Sequence, residues 1–303
     1  HEIAVIEMGM SNFGEMERLS AIASPTSAVV TNIGISHIEQ LKTQENIRAE
    51  KLHIADTIGE QGALYLNGDD PMLQQLRESY TGKIVWYGME SDCDYRAVNI
   101  DTVKDCTRFE LHAPFGAHKI MIPALGLHNV SNALAAIAVA YDQGLTLDDI
   151  RCGLLTYEGL AMRQQIHELD KITVIDDSYN ASPDSIKSGI GVLMAVKSTG
   201  KKIAVLADML ELGERSAQAH LELGAYAAAS GVDAVVTVGR EAEKIAEGAA
   251  EESRKILVKA CGTNDEAFAE LEKILNDGDS VLVKGSRGMH TDEIVQKLLT
   301  KYQ

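Results

Sequence analysis

Short apolar runs alternate with longer amphipathic ones along most of the chain. AVIEM, SAVVTNI, ALYLN and KIVWYG have the length and β-branched content of strands. Between them EMERLSAIA, TQENIRAEKLHIADTI and DPMLQQLRES repeat their apolar residues at helical spacing. This order predicts a parallel sheet with crossover helices. The first run is unusual, because Glu2 to Ile6 reads as a buried strand, and a strand of that kind needs neighbours on both edges. From about Tyr95 to Ile122 the pattern changes to YRAVNI, TRFELHA and HKIMI, which predict a small antiparallel sheet appended to the first domain. NVSNALAAIAVAYDQG, from about Val130, and TLDDIRCGLLT then predict two closing helices.

After YEGLAM the alternation begins again. TVIDD, KIAVLAD, DAVVTVG, KILV and SVLVKG are the strands, with helices from about Pro183, Glu214 and Thr291 among those between and after them. The expectation is an α/β chain of two domains meeting near residues 157 to 162. A partial parallel-sheet domain with its antiparallel addition covers 1–157, and a Rossmann-like α/β domain covers 158–303.

Ligands of open parallel sheets collect at the carboxyl ends of the strands. Those ends are polar here: EMG, TNIG, NGDD, IDDSYN, VLADM and VKGSRG. Glu7, Thr31, Asn32, His37 and Lys51 could bring oxygen and imidazole donors around a Mg²⁺ that polarises phosphate. The ordinary alternatives are a turn cap at Glu7, a loop histidine at His37 and a solvated helix lysine at Lys51. His128 and Asn129 stand just before a helix, where an N-cap is the ordinary role of asparagine. IDDSYNASPDS carries more polar groups than a connection requires. KGSRGM places Lys284, Ser286 and Arg287 among glycines after a strand, an arrangement suited to anions and equally to a plain glycine turn.

Composition narrows the function classes. With 28 basic against 45 acidic residues and a formal charge of −17, the composition argues against a nucleic-acid or anionic-membrane surface and leaves room for a local basic pocket for phosphate. Cys93, Cys106, Cys152 and Cys261 are far apart and form no CxxC pair, which disfavours zinc and disulfide frameworks and suits a reducing cytoplasm. No apolar run reaches the ~18 residues of a membrane span, and no secretion signal is visible. No GxxxxGKS/T phosphate loop occurs in the 303 residues.

EMG, TNIGISHIE, AEKL, GLHNVSNALAA, MRQQ, IDDSYNASPDS, VLADMLELG and VKGSRGM occur in an order that resembles the Mur ligases of peptidoglycan synthesis. DDSYNASPDS and DMLELG resemble the branch of that family that adds a dipeptide. The resemblance implies that the chain is the carboxyl-terminal two thirds of a ligase, from inside its central ATPase domain onward. A UDP-sugar-binding domain and a P-loop would then stand before His1.

It also implies the chemistry: ATP phosphorylates a carboxylate, and an amine attacks the acyl phosphate. The implied acceptor is UDP-N-acetylmuramoyl-tripeptide, with lysine or diaminopimelate at its third position, and the incoming amine is that of D-alanyl-D-alanine. The implied cofactors are ATP and Mg²⁺. By resemblance Glu7 and His37 are metal ligands, and Lys51 joins them once carbamylated. Asn129 meets adenine, Asp177 the ribose and Arg163 the γ-phosphate, although GLAMR departs from the family's GRM pattern. Asn180, Lys284, Ser286 and Arg287 fall where the carboxyl-terminal domain helps hold peptide carboxylates and the incoming amine. The expected protein is a cytoplasmic monomer that binds no nucleic acid and inserts in no membrane. A folylpolyglutamate- or cyanophycin-type ligase is the alternative within the superfamily, and a non-catalytic nucleotide-binding module the alternative outside it.

Overall fold

Two sheets carry the chain, one in each of two compact units, His1–Tyr157 and Glu158–Gln303. The computed structural model describes residues 1–90 and 92–303.

In the first unit the elements run α1 (Glu15–Ala23), β1 (Ala28–Val30), α2 (Ile38–Leu41), α3 (Gln44–Leu52), β2 (Leu64–Asn67), α4 (Pro71–Gln74), β3 (Ile84–Gly88), β4 (Tyr95–Val103), β5 (Cys106–Ala113), β6 (Gly116–Ile122), α5 (Leu127–Asp142) and α6 (Leu147–Leu155). The sheet order is β1-β2-β3-β4-β5-β6. Pairing is parallel from β1 to β4 and antiparallel from β4 to β6. The antiparallel strands are therefore not a separate appended sheet. Tyr87 pairs with Tyr95 and Gly88 with Arg96, so one sheet continues across the change of direction.

Both faces of the parallel part are covered, and side chains alternate between two cores. Leu64, Leu66 and Trp86 pack with Met16, Ile38, Leu41 and Ile47 on the α1–α3 side. Tyr65, Val85 and Tyr87 pack with Val130, Leu134 and Ile137 of α5 on the other. Such two-sided burial is why these strands are apolar at almost every position.

The expected strand at Glu2–Ile6 is absent. The segment has no regular structure, and Ile3, Val5 and Ile6 are exposed, Val5 to 93%. The reason is pairing: β1 forms the edge of the sheet, and residues 2–8 make no ladder with it. A strand's apolar pattern stabilises it only when a ladder and a second layer bury it.

The second unit comprises β7 (Gln165–Glu168), β8 (Thr173–Asp177), α7 (Pro183–Ala195), β9 (Lys202–Ala207), α8 (Ser216–Ala229), β10 (Ala234–Val238), α9 (Glu243–Glu252), β11 (Leu257–Cys261), α10 (Asn264–Ile274), β12 (Ser280–Lys284) and α11 (Asp292–Tyr302). The order is β11-β10-β9-β12-β8-β7, parallel except for β7, which pairs antiparallel with β8 at the edge. Strand β7 is an element that the apolar pattern does not announce.

Local chemistry fixes the helix starts. Ser182 and Ser185 form a reciprocal capping box with Pro183 at the first helical position of α7, and Thr146 and Asp149 do the same for α6. Helices α8 and α9 cross at two glycines. A Cβ on Gly224 would lie 2.0 Å from the Ile245 carbonyl oxygen, and one on Gly248 2.0 Å from that of Leu221, so only glycine permits this approach.

Candidate functional site

The turn after β1 is held by side chains from three neighbouring segments. Asn67 Nδ2 donates to the Thr31 carbonyl (3.0 Å), Lys51 Nζ to the Asn32 carbonyl (2.8 Å) and Gln44 Nε2 to the Ile33 carbonyl (2.5 Å). Asp70 Oδ2 accepts from the Ile33 N–H at 2.7 Å, while its Oδ1 caps α4 through Met72 and Leu73. Three consecutive residues are thus fixed by external groups, with the strand-end motifs TNI and NGDD bound to one another.

Lys51 is not a solvated helix lysine. It is half-buried on the inner side of α3, and burial pushes its amine below the ordinary lysine value, with Asp70 pulling it back up. Its neighbour Glu50 is 4% exposed and accepts from the Met16 N–H, which ties α3 to the start of α1.

His37 caps α2 in the left-handed region at φ 60° and is half-buried. The carboxylate that senses it is Glu15, held below its usual range chiefly by the Ser11 and Asn12 N–H groups, with His37 contributing electrostatically. Glu7 lies exposed in the irregular amino-terminal segment. Among the described residues no group of three or more His, Cys, Asp or Glu side chains is placed to hold a metal. Glu7, His37 and Lys51 are carried by three different segments, the amino-terminal run, the cap of α2 and α3.

Asn129 lies within α5, which starts at Leu127 rather than near Val130, so it is not the N-cap. The cap position is Gly126, and Asn129 Nδ2 donates to the Leu125 carbonyl at 2.8 Å. His128 is half-buried in the same first turn.

Asp70 is the residue here that motif reading passes over, since its partner lies 37 positions away. Asp70→Ala removes acceptors from three backbone N–H groups and is expected to destabilise the fold by about 2 kcal/mol, the scale of a lost cap with an orphaned donor. Urea unfolding checks this, and Asp70→Asn, which keeps an oxygen for the cap, should lose less.

In the second unit the ends of β8, β9 and β12 come together. Lys284 and Asp177, 2% and 5% exposed, form an ion pair with Nζ 2.7 Å from Oδ2. Lys284 also donates to the Asn180 carbonyl at 2.9 Å. Burial pushes the Asp177 carboxyl up and the Lys284 amine down, each pulled back by the other. Asp176 accepts from both the backbone and the hydroxyl of Ser178.

Ser286 is buried. Its Oγ accepts from the Leu210 N–H at 2.9 Å, and its N–H donates to the Asp208 carbonyl at 3.2 Å, which joins KGSRG to DMLELG. Arg287 is exposed and faces Asp292 at 3.5 Å. Arg163 is also exposed, its guanidinium 4.4 Å from the centre of the Tyr179 ring, and the Met162 carbonyl accepts from the Tyr179 N–H. Of the residues expected in this half, Asp177, Asn180 and Lys284 are thus in direct contact, Ser286 follows two residues after Lys284, and Arg163 lies over the side chain between Ser178 and Asn180.

No helix among the described residues is long and apolar enough to cross a membrane. Comparison with known proteins matches residues 1–140 to the Mur ligase middle domain and residues 162–287 to the Mur ligase, glutamate ligase domain. The chain is 38% identical over 98% of its length to the UDP-N-acetylmuramoyl-tripeptide--D-alanyl-D-alanine ligase of Bacillus subtilis strain 168, of which it spans 64%. It is 29% identical to the ligase of the same name from Escherichia coli K12, of which it spans 65%. Among solved structures, MurF from Acinetobacter baumannii matches 99% of the chain at a TM-score of 0.89 and 32% identity, with 65% of that protein covered. MurF from Thermotoga maritima in complex with ADP matches 96% at 0.84 and 27%, with 66% covered. The chain therefore spans just under two thirds of these relatives. With both of its units matched, one by each domain, the chain belongs to the Mur ligase family.

Proposed function

We propose that this chain forms the ATPase and carboxyl-terminal parts of an ATP-dependent ligase that joins D-alanyl-D-alanine to UDP-N-acetylmuramoyl-tripeptide in peptidoglycan precursor synthesis. In this reading the tripeptide carboxylate attacks the γ-phosphorus of ATP, ADP leaves, and an acyl phosphate forms. The dipeptide amine then attacks the acyl carbon, inorganic phosphate leaves, and the amine gives up its proton.

The observation that carries the reading is the position of Lys51. Carbamate formation requires a neutral amine: Nζ attacks CO₂, a proton departs, and a cation becomes an anion. Lys51 is partly withdrawn from water, and burial pushes its proton affinity down. The carbamate nitrogen keeps one hydrogen, enough to preserve the bond to the Asn32 carbonyl. Mg²⁺ accompanies the nucleotide in this proposal and supplies charge neutralisation at the transferring phosphoryl group. Its proposed donors are Glu7, His37 and the carbamate of Lys51. Asn129 is assigned to adenine, Asp177 to the ribose and Arg163 to the γ-phosphate. Asn180, Lys284, Ser286 and Arg287 are assigned to the peptide carboxylates and the incoming amine.

The 303 residues alone are inactive in this proposal. They contain no GxxxxGKS/T loop, whose backbone N–H groups and lysine carry most of the contact with β- and γ-phosphates. The expected result is ADP release from the full gene product only when both UDP-N-acetylmuramoyl-tripeptide and D-alanyl-D-alanine are present, with none from the 303-residue chain. Release driven by glutamate and a folate in place of these substrates would move the chain to the folylpolyglutamate-type ligases. Turnover by the 303 residues would reveal a phosphate site other than those assigned.

A further inference from the structure

We propose that His220 is a positioning residue that, as a neutral imidazole, fixes the DMLELG loop and through it Ser286. His220 is fully buried in α8. Its Nδ1 lies 2.7 Å from the Ser216 carbonyl and must donate to it. The opposite nitrogen, Nε2, accepts from the Met209 N–H at 3.0 Å. Both ring positions are thereby assigned, one as donor and one as acceptor, and only the neutral Nδ1–H tautomer satisfies both. The Ser216 hydroxyl, 3.3 Å from Nδ1, donates to Glu241 at 2.8 Å and holds the far side of the ring.

The adjacent residue in the loop transmits this constraint. The Leu210 N–H donates to Ser286 Oγ, and the Ser286 N–H returns to the Asp208 carbonyl. Three consecutive residues, Asp208 to Leu210, are therefore held between the imidazole of His220 and the hydroxyl and N–H of Ser286. A hydroxyl that accepts a fixed N–H has its proton directed elsewhere, so His220 determines how Ser286 presents itself. The functional consequence rests on the ligase reading, in which Ser286 helps hold the incoming dipeptide; the tautomer and the loop order do not.

The test uses two substitutions of opposite hydrogen-bonding capacity and one measurement on the unaltered protein. Glutamine at 220 places an oxygen near the Nε2 position, whereas leucine supplies no acceptor. In the full gene product, His220→Leu should raise KM for D-alanyl-D-alanine about tenfold with kcat changed less than about threefold, the range expected when one buried N–H loses its partner. His220→Gln should keep KM within about twofold of wild type. In the unaltered chain, nitrogen NMR should show His220 as the Nδ1–H tautomer at neutral pH, and the Met209 amide should exchange slowly in wild type and in His220→Gln but fast in His220→Leu. An imidazolium or Nε2–H tautomer at 220 overturns the proposal, as does a slow Met209 amide in His220→Leu. An unaltered protein that does not turn over D-alanyl-D-alanine would count against the ligase reading alone, because the tautomer and exchange measurements are made without substrate.

Discussion

Lys51→Ala in the full gene product is expected to lower ligation by at least about a thousandfold, the scale on which an electrostatic group acting at a phosphoryl transition state is missed. Alanine removes two things at once, the donor to the Asn32 carbonyl and the amine that adds CO₂. Lys51→Arg separates them. Arginine can still donate to the carbonyl but stays cationic and forms no carbamate, so it should be as inactive as alanine. Short-chain carboxylates such as acetate should restore part of the activity to Lys51→Ala and none to Lys51→Arg, since only the truncated side chain leaves room for a free anion.

The pH dependence follows from the direction of the shift. Burial lowers the folded-state proton affinity of Lys51, so between its folded value and the ordinary lysine value the folded chain binds fewer protons than the unfolded one. Carbamate occupancy should rise with pH and with bicarbonate and fall on acidification, which carbon NMR with labelled bicarbonate reads directly. Full activity in either variant would return Lys51 to the role of a loop clamp.

Much of the architecture could be read in the residues because the parallel strands of both sheets are buried on two faces, which leaves uninterrupted apolar runs. SVLVK and KIAVLA are legible for that reason. Strand β7 was not legible, since QIHE is a half-exposed antiparallel edge whose pattern is that of a loop. The amino-terminal run failed in the opposite sense: its composition is that of a strand, but composition cannot say whether a ladder stands beside it. Motifs pointed to Lys51, Asp177 and Lys284 and to the segments that hold them, Asn32 and Asn180 among them, but not to Asp70 or His220. Asp70 and His220 act through backbone N–H groups of distant residues, and a sequence records neither backbone position nor tautomer. Asn129 shows the same limit at short range, because whether it caps a helix or sits inside its first turn depends on where the helix begins.

Lys284→Met should destabilise the second unit by about 3–5 kcal/mol, the usual consequence of leaving one member of a buried ion pair without its partner. At ~2–4 °C per kcal/mol for a domain of this size, the melting temperature should fall by roughly 10 °C. Methionine fills a similar volume, so the loss arises from the uncompensated Asp177 carboxylate and the Asn180 carbonyl left without its donor. Burial already pushes the Asp177 carboxyl up with Lys284 present, and removing the cation can only push it further. Between the ordinary carboxylate value and this raised one, the folded variant binds more protons than the unfolded chain, so its stability falls as pH rises through that window. The deficit should therefore be smallest in acid and largest at neutral pH. Gln164 donates to the Asp177 carboxylate from both its side chain and its backbone N–H, so Asp177→Asn combined with Lys284→Met removes the charge while keeping an oxygen for it, and should recover most of the stability. If Lys284 also holds substrate, the double variant should be well folded yet show a raised KM for D-alanyl-D-alanine. Calorimetric melts of the three proteins across pH, beside KM measurements on the full gene product, separate the two roles. A Lys284→Met variant that melts with wild type at neutral pH would mean that water reaches Asp177 far more readily than its 5% exposure implies.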